Sequence, residues 1–264
     1  MFANRLWNDM AIYSAGLELG AKTFSPSCLQ NSPLTRRLYE LWAQFVGRVL
    51  HAKESMFAWS GTVRYLPPTT PLPAKYDGVH SLYLLGMLFR NPVGFETYQL
   101  ELRKHFRAHK KLGEYLDSLL RPFQNRVLIG VEVRQQPFTY FPDGEFLIPL
   151  SRTKEILSEY MREHSLTPAG VTLVVATDLK LQESEFEGYN AIILANDEER
   201  SFYALTRCSV VLGTNSPHAN LSAWLANVPH VVIKEESIDW DYYRNREKFF
   251  ENKYATLTQK VTLH

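Results

Sequence analysis

The sequence predicts an α/β fold whose C-terminal half is an open parallel sheet, and three observations predict it. The first is a series of short runs rich in β-branched residues: Arg126 to Val133 (RVLIGVEV), Val171 to Ala176 (VTLVVA), Asn190 to Leu194 (NAIIL), Ser209 to Gly213 (SVVLG) and His230 to Ile233 (HVVI). Strands buried on both faces of a parallel sheet read this way, because neither face meets water. The second is that helical patterns lie between these runs, so strand and helix alternate as right-handed βαβ units require. The third is the change of texture after Pro122, where longer helical patterns give way to these short apolar runs.

Taken in order, residues Asn4 to Gly20 predict a helix, with Leu6, Met10, Tyr13, Leu17 and Ala21 at three- and four-residue spacings. A second helix is expected from Pro33 to Leu50, its proline near the start, where a missing N–H is harmless. Phe57 to Tyr65 reads as a strand and the proline-rich stretch Leu66 to Ala74 as a loop. His80 to Phe89 (HSLYLLGMLF) is short and apolar, either a buried strand or a helix. Tyr98 to Leu120 predicts one helix carrying Arg103, Lys104, Arg107, Lys110 and Lys111, with Arg121 just beyond. That charge run is either a solvated helix face or a surface for acidic head groups or phosphates. Beyond the first β-branched run, Ser151 to His164 predicts a helix capped by Ser151, with Glu155 close to its start. Ser201 to Arg207 predicts a short one, and another is expected from His218 or Ala219 to Ala226.

Composition excludes several function classes. The chain has 264 residues, 45% hydrophobic and 22% charged, enough for one large domain or two of moderate size. A net charge of +1 argues against a broad nucleic-acid footprint. An anionic ligand must therefore be held by local geometry. The two cysteines, Cys28 and Cys208, form no CxxC pair and sit beside no histidine cluster. A disulfide framework and a zinc site are not expected, and the chain reads as a cytoplasmic protein. No apolar run reaches the roughly 18 residues needed to span a bilayer, and MFANRLWNDM does not have the form of a signal peptide. Peripheral membrane contact stays open. A dinucleotide fingerprint, a P-loop and a nucleophile elbow are all missing from the sequence.

In an open parallel sheet, ligands bind at the carboxyl ends of the strands, near the point where strand order reverses. That rule selects Arg134 with Gln135 and Gln136, Thr177 with Asp178, the Asn196–Asp197 turn, and Gly213 to His218 (GTNSPH). The last is either a phosphate cradle at a helix start, with Asn215 and Ser216 in it, or an ordinary capped turn. Arg134 either forms a structural ion pair, with Asp178 as the candidate partner, or holds the oxygens of a leaving diphosphate. His218 and His230 lie near the expected cleft edge and read as structural or solvated.

These residues also carry a family resemblance. IGVEVR (Ile129 to Arg134) resembles the strand-plus-arginine motif VGVHIRR of the α1,2-, α1,6- and protein-O-fucosyltransferases. Leu205 to Ile233 is similar to the bacterial α1,2-fucosyltransferase pattern LxxCxHxIxxNSTFSWWAAWL, and Ala176 to Asp178 (ATD) stands where that family has SDD or ATDD. Phe2 to Ala21 resembles the GNRL loop-and-helix that opens the same fold.

The resemblance implies a GT-B-like enzyme of two Rossmann-like domains, residues 1–122 on the acceptor side and 123–264 holding the nucleotide sugar. It implies an inverting transfer from GDP-fucose to a glycan or lipid-linked oligosaccharide, with no metal. Residue by residue, Arg134 would stabilise the departing β-phosphate, Asn4 would be the loop asparagine near the phosphates, and Asn215 and Ser216 the phosphate turn. Asp178 would stand near the base or ribose. Five departures matter: Glu132 replaces the motif's histidine, Gln135 its second arginine, Ser201 the aspartate before the LxxC segment, the aromatic pair after NST is absent, and the N-terminal match begins at residue 2. An N-terminal domain that is incomplete or differently built is the consequence expected. The chain is then either a transferase with altered preference or a binding protein that no longer catalyses. Glu132 is either the general base for the acceptor hydroxyl or an inward ion-pair partner of Arg134, whose face it shares.

Overall fold

The computed structural model describes residues 2–23, 41, 62–65, 82–85, 91–134, 147–244, 249–252 and 257–260. The helix expected over Pro33 to Leu50, the loop over Leu66 to Ala74, and Gln135 with Gln136 lie outside them, apart from the single helical position Leu41. The fold is α/β, and the chain divides into two compact units. One comprises residues 1–4, 103–252 and 257–264, the other residues 5–102 and 253–256.

The second unit holds most of helix α1 (Phe2–Leu19), strands β1 (Thr62–Tyr65) and β2 (Leu82–Leu85), and helix α2 (Pro92–Thr97). β1 and β2 pair in parallel, Thr62 opposite Leu82, so the ambiguous apolar run after His80 is a strand over those four residues. α1 buries Leu6, Trp7, Met10, Ala11, Ser14 and Ala15, while Tyr13 and Leu17 are only half-buried. The stripe therefore turns toward Trp7 and Ser14, away from the side that the spacing of Tyr13 and Leu17 selects. α1 ends where Gly20 adopts a left-handed φ of 61°. Asn91 caps α2 from a left-handed conformation and donates to Ser14 Oγ at 2.8 Å and Glu18 Oε1 at 2.6 Å.

The first unit is built on a five-stranded sheet, β3 (Val127–Val133), β4 (Val171–Thr177), β5 (Asn190–Ala195), β6 (Val210–Gly213) and β7 (His230–Val232). All pairs are parallel and the order is β5-β4-β3-β6-β7. The chain moves outward from β3 through β4 to β5, then returns to the other side of β3 with β6. The switch point therefore lies between β3 and β6, and ligands of such sheets bind beside it.

Strand alternation divides the core. Ile129, Val131 and Val133 face Leu173, Val175 and Leu212, and this side is covered by Ile156, Leu157 and Met161 of α5 (Leu150–Glu163). On the other side Ala176 and Val211 meet Leu205 of α6 (Glu198–Leu205) and Ala219 and Ala223 of α7 (Pro217–Ala226). Small residues let these helices lie close. A Cβ at Gly130 would come within 2.8 Å of Leu205, and one at Gly213 within 2.7 Å of Ala219 and 2.9 Å of Glu132 Cβ.

Several boundaries differ from the sequence expectation for identifiable reasons. The single helix expected over Tyr98 to Leu120 is two, α3 (Gln99–His105) and α4 (Lys110–Leu120). Tyr203 donates its hydroxyl to the Phe106 carbonyl at 3.0 Å, an acceptor that an unbroken helix would give to the amide four residues on. His109 then caps the new start by accepting from the Leu112 N–H. Ser151 is not the cap of α5, which starts one residue earlier, at Leu150, with Pro149 in that place. α6 begins three residues before the sequence expectation because Asp197 accepts from the Arg200 N–H at 2.9 Å. Helix α8 (Trp240–Arg244) and the antiparallel pair β8 (Phe249–Asn252) and β9 (Leu257–Lys260) follow, none of them predicted. No helix among the described residues is long and apolar enough to cross a membrane.

Candidate functional site

The strand tips beside the switch point open on a cleft of about 270 Å³. β3 contributes Arg134, β4 contributes Thr177 and Asp178, and the turn into α6 contributes Asn196, Asp197 and Glu198. Ser201 of α6 and His218 of α7 complete its polar wall. Pockets that take whole drug-sized ligands run to roughly 300–1,000 Å³, so this one suits a small polar group or a part of a larger ligand.

Arg134 is the cleft's central cation, its side chain 13% exposed. Its Nη2 donates to Glu198 Oε1 at 2.8 Å, and its Nε stands 3.9 Å from Asp178 Oδ2. The ion pair expected with Asp178 is therefore present at long range, and the tighter partner is Glu198. Sequence reasoning passed over Glu198 because it began the helix at Ser201. The signal was an Asn-Asp turn followed by two glutamates, the composition of a capped helix start. Burial works to raise Glu198, but the Phe2 N–H and Arg134 outweigh it and hold the carboxyl at about 2. At neutral pH the Arg134–Glu198 pair is thus fully charged.

Glu132 lies on the same face of β3, two residues before Arg134, and its side chain is fully buried. Ser216 donates to both of its oxygens, at 2.6 and 2.8 Å, and Thr214 donates at 3.1 Å. Burial raises its carboxyl above the usual range, while Arg134 and the hydroxyls of Ser216 and Thr214 oppose that. An inward ion pair with Arg134 is not what forms: Arg134 reaches Glu198 and Asp178. Nor does Glu132 line the cleft, so a direct approach to an acceptor hydroxyl is closed to it.

The turn expected to cradle phosphate is capped from within. Ser216 is the N-cap of α7 and accepts from the Ala219 N–H at 3.1 Å, and Pro217 brings no N–H of its own. The Glu132 carboxylate sits against this helix start, where a ligand anion would otherwise be favoured. Ser216 is 2% exposed, and Asn215 Oδ1 is buried without a hydrogen bond among the described residues. Neither Asn215 nor Ser216 lines the cleft. Asn4, implied as a loop residue, lies in the first turn of α1 and does not line it either.

His218, read from sequence as structural or solvated, reaches the cleft. Its Nε2 is 3.3 Å from Ser201 Oγ and 3.4 Å from the Glu198 carbonyl, and its Nδ1 is 3.5 Å from Glu132 Oε1. Burial and Arg134 lower it to about 3, so the ring is neutral at neutral pH. His230 is buried, its Nδ1 3.4 Å from Asn220 Nδ2, and it serves packing. In the basic run from α3 into α4, Arg103 stacks its guanidinium 4.9 Å over Trp224 and donates to that residue's carbonyl, while Lys104, Arg107, Lys110 and Lys111 are exposed. Among the described residues no group of three His, Cys, Asp or Glu side chains is placed to hold a metal ion.

The sequence matches no family model and no curated protein. Solved structures do resemble this chain. An arginine-to-lysine mutant of Arabidopsis thaliana FUT1 in complex with GDP superimposes with a TM-score of 0.50 at 12% identity, over 90% of this chain and 69% of that one. POFUT1 in complex with GDP-fucose gives 0.45 at 9% identity, over 58% of this chain and 54% of that one. The fucosyltransferase NodZ from Bradyrhizobium gives 0.41 at 13% identity, over 59% and 53%. The chain spans about half the length of the POFUT1 and NodZ structures. At 12% identity the likeness to the FUT1 structure speaks for the fold alone, a GT-B-like α/β architecture.

Proposed function

We propose that this chain is a glycosyltransferase that takes its sugar from a nucleotide diphosphate donor, with GDP-fucose the donor its sequence resemblance implies. The observation that carries the reading is Arg134, a cation at the tip of β3 beside the switch point of a parallel sheet, lining the cleft there. In an inverting displacement the acceptor hydroxyl attacks the anomeric carbon from the face opposite the diphosphate. As the bond to the β-phosphate oxygen breaks, charge grows on that oxygen, and a fixed guanidinium favours the transition state over the ground state. Residues 123–264 form the donor side in this reading and residues 1–122 the acceptor side. The acceptor is a glycan or lipid-linked oligosaccharide, met in the cytoplasm or at a membrane surface, and no metal takes part.

Thermal-shift titration with GDP, UDP and GDP-fucose, followed by an assay of GDP release, tests it. GDP and GDP-fucose are expected to raise the melting temperature and UDP to do so less. The Arg134→Ala variant is expected to stay folded and lose turnover. Near-wild-type turnover in that variant would remove Arg134 from the leaving group.

A second reading, a nucleotide- or carbohydrate-binding homologue without catalysis, is favoured by one observation. The cleft's central cation is already engaged by Glu198 and flanked by Asp178, and a third carboxylate, Asp197, shares the wall. Binding of GDP-fucose without release of GDP across a broad acceptor panel would select this reading over the first.

A further inference from the structure

We infer that Ser201, His218 and Glu132 form a proton relay opening on the cleft, with His218 the base that receives the attacking hydroxyl's proton. The inference rests on the transfer reading above. Its geometry is independent of Arg134's role. Three separate elements bring the groups together: Glu132 from β3, Ser201 from α6 and His218 from α7. His218 stands between the other two, with Nε2 at 3.3 Å from Ser201 Oγ and Nδ1 at 3.5 Å from Glu132 Oε1. The edge-on ring of Phe202, 5.6 Å away at 82°, holds the imidazole plane. Ser201 and His218 line the cleft, whereas Glu132 is buried behind them.

The chemistry follows from which nitrogen carries the proton. A neutral imidazole has one N–H and one lone pair. Among the described residues Nδ1 is buried without a hydrogen bond, and Glu132 Oε1, 3.5 Å away, is the group beside it that can draw a proton to it. That leaves the Nε2 lone pair for Ser201, against the pull of the Glu198 carbonyl 3.4 Å from Nε2. That carbonyl accepts only and favours the other tautomer, so the tautomer is what decides the relay. Ser216 and Thr214 anchor the carboxylate, so Glu132 orients the ring without meeting substrate and is a positioning residue. The Ser201 hydroxyl has a second acceptor within reach, the Glu198 carbonyl at 3.4 Å.

In the reaction, the acceptor oxygen bonds to the anomeric carbon while the bond from that carbon to the diphosphate breaks. The bonding pair leaves with the phosphate oxygen. The acceptor's proton passes to Ser201 Oγ as Ser201 gives its own to His218 Nε2. Because burial and Arg134 hold the ring at about 3, the imidazolium beside Glu132 is transient and returns its proton to water through the cleft as product leaves. A base, its orienting carboxylate and a hydroxyl are arranged here as in nucleophile activation, but no covalent step on Ser201 is needed.

The test begins without activity. Nitrogen-15 NMR of histidine-labelled full-length protein is expected to show a neutral His218 with its proton on Nδ1, identified by the signals lost in His218→Gln. Glu132→Gln is expected to shift that proton to Nε2. A wild-type ring protonated on Nε2 would overturn the relay whatever the activity. In the GDP-release assay with GDP-fucose, Ser201→Ala and His218→Gln are expected to lower kcat by about 100-fold with KM little changed, as befits proton transfer. Unchanged kcat in Ser201→Ala, which removes one oxygen from a stable helix, would also overturn it. A wild type that releases no GDP would remove the transfer reading, and the tautomer would still decide the relay.

Discussion

Two helix starts in the same unit meet the sheet's carboxyl edge and are used differently. α7 opens behind a proline and a Ser216 cap, with the Glu132 carboxylate seated against it out of water. α6 opens behind an Asp197 cap and faces the cleft, with Glu198 reaching Arg134. Both sequences look like helix starts suited to an anion. Both starts carry a carboxylate of the protein's own, Glu132 at α7 and Asp197 at α6, but only the start of α6 lies on the cleft, because Glu132 and Ser216 are buried behind it. A helix start is available to a phosphate only when nothing from a neighbouring strand already fills it.

The sharpest way to break this comparison is Glu132→Ala. It leaves two buried hydroxyls and a buried imidazole without their carboxylate, and about 3 kcal/mol of stability should go, read by urea unfolding. Added acetate should restore part of that loss, and no anion should stabilise the wild type in the same way. A variant as stable as wild type would mean that α7's start needs no internal anion.

Next in size is Arg134→Ala, expected to lower donor turnover by about 100-fold, or about 2.7 kcal/mol of transition-state stabilisation. Turnover unaffected by that change, measured as GDP release, would give the cleft at α6 no claim over α7. Gly213→Ala should cost about 1–3 kcal/mol, since its Cβ would press on the Cβ atoms of Ala219 and Glu132. Thermal unfolding of that variant sharpens how tightly α7 is set on the sheet. Asp197→Ala removes the cap of α6 and should cost about 1 kcal/mol, with no change in the Glu132 cluster.

The smallest effect concerns pH. Glu198 is held at about 2, below the ordinary 4.5 of an unfolded glutamate. Its stabilisation is therefore complete above about 4.5 and is lost as pH falls toward 2. Glu198→Gln should differ from wild type most above that window and converge with it in acid, as read by stability measured from pH 7 to pH 2. A constant difference across that range would show that the Arg134 pair contributes nothing through charge.

Much of the unit built on the five-stranded sheet was legible in the sequence because its signals are local. Five β-branched runs, their order in the chain and the helices between them follow from period and composition, and those runs became β3 to β7 with ends shifted by at most one residue, although β5, at the sheet edge, is buried only at Leu194. Arg134 and Asp178 were legible as site residues because strand tips can be read from strand ends, and both line the cleft. The break between α3 and α4 was not, since it depends on a hydroxyl from Tyr203, far along the chain.

What the sequence by itself determined is the α/β class, the parallel strands and the set of strand-tip residues from which any site must be drawn. Only the tertiary structure decided which of those residues share a cleft. It took Glu132 and Ser216 out of the lining, bonded them to each other, and placed His218 and Glu198 beside Arg134 instead. The reason is physical: period and propensity act between neighbours in the chain, whereas the pairing of buried charges is settled by which helix ends and strand tips meet in space.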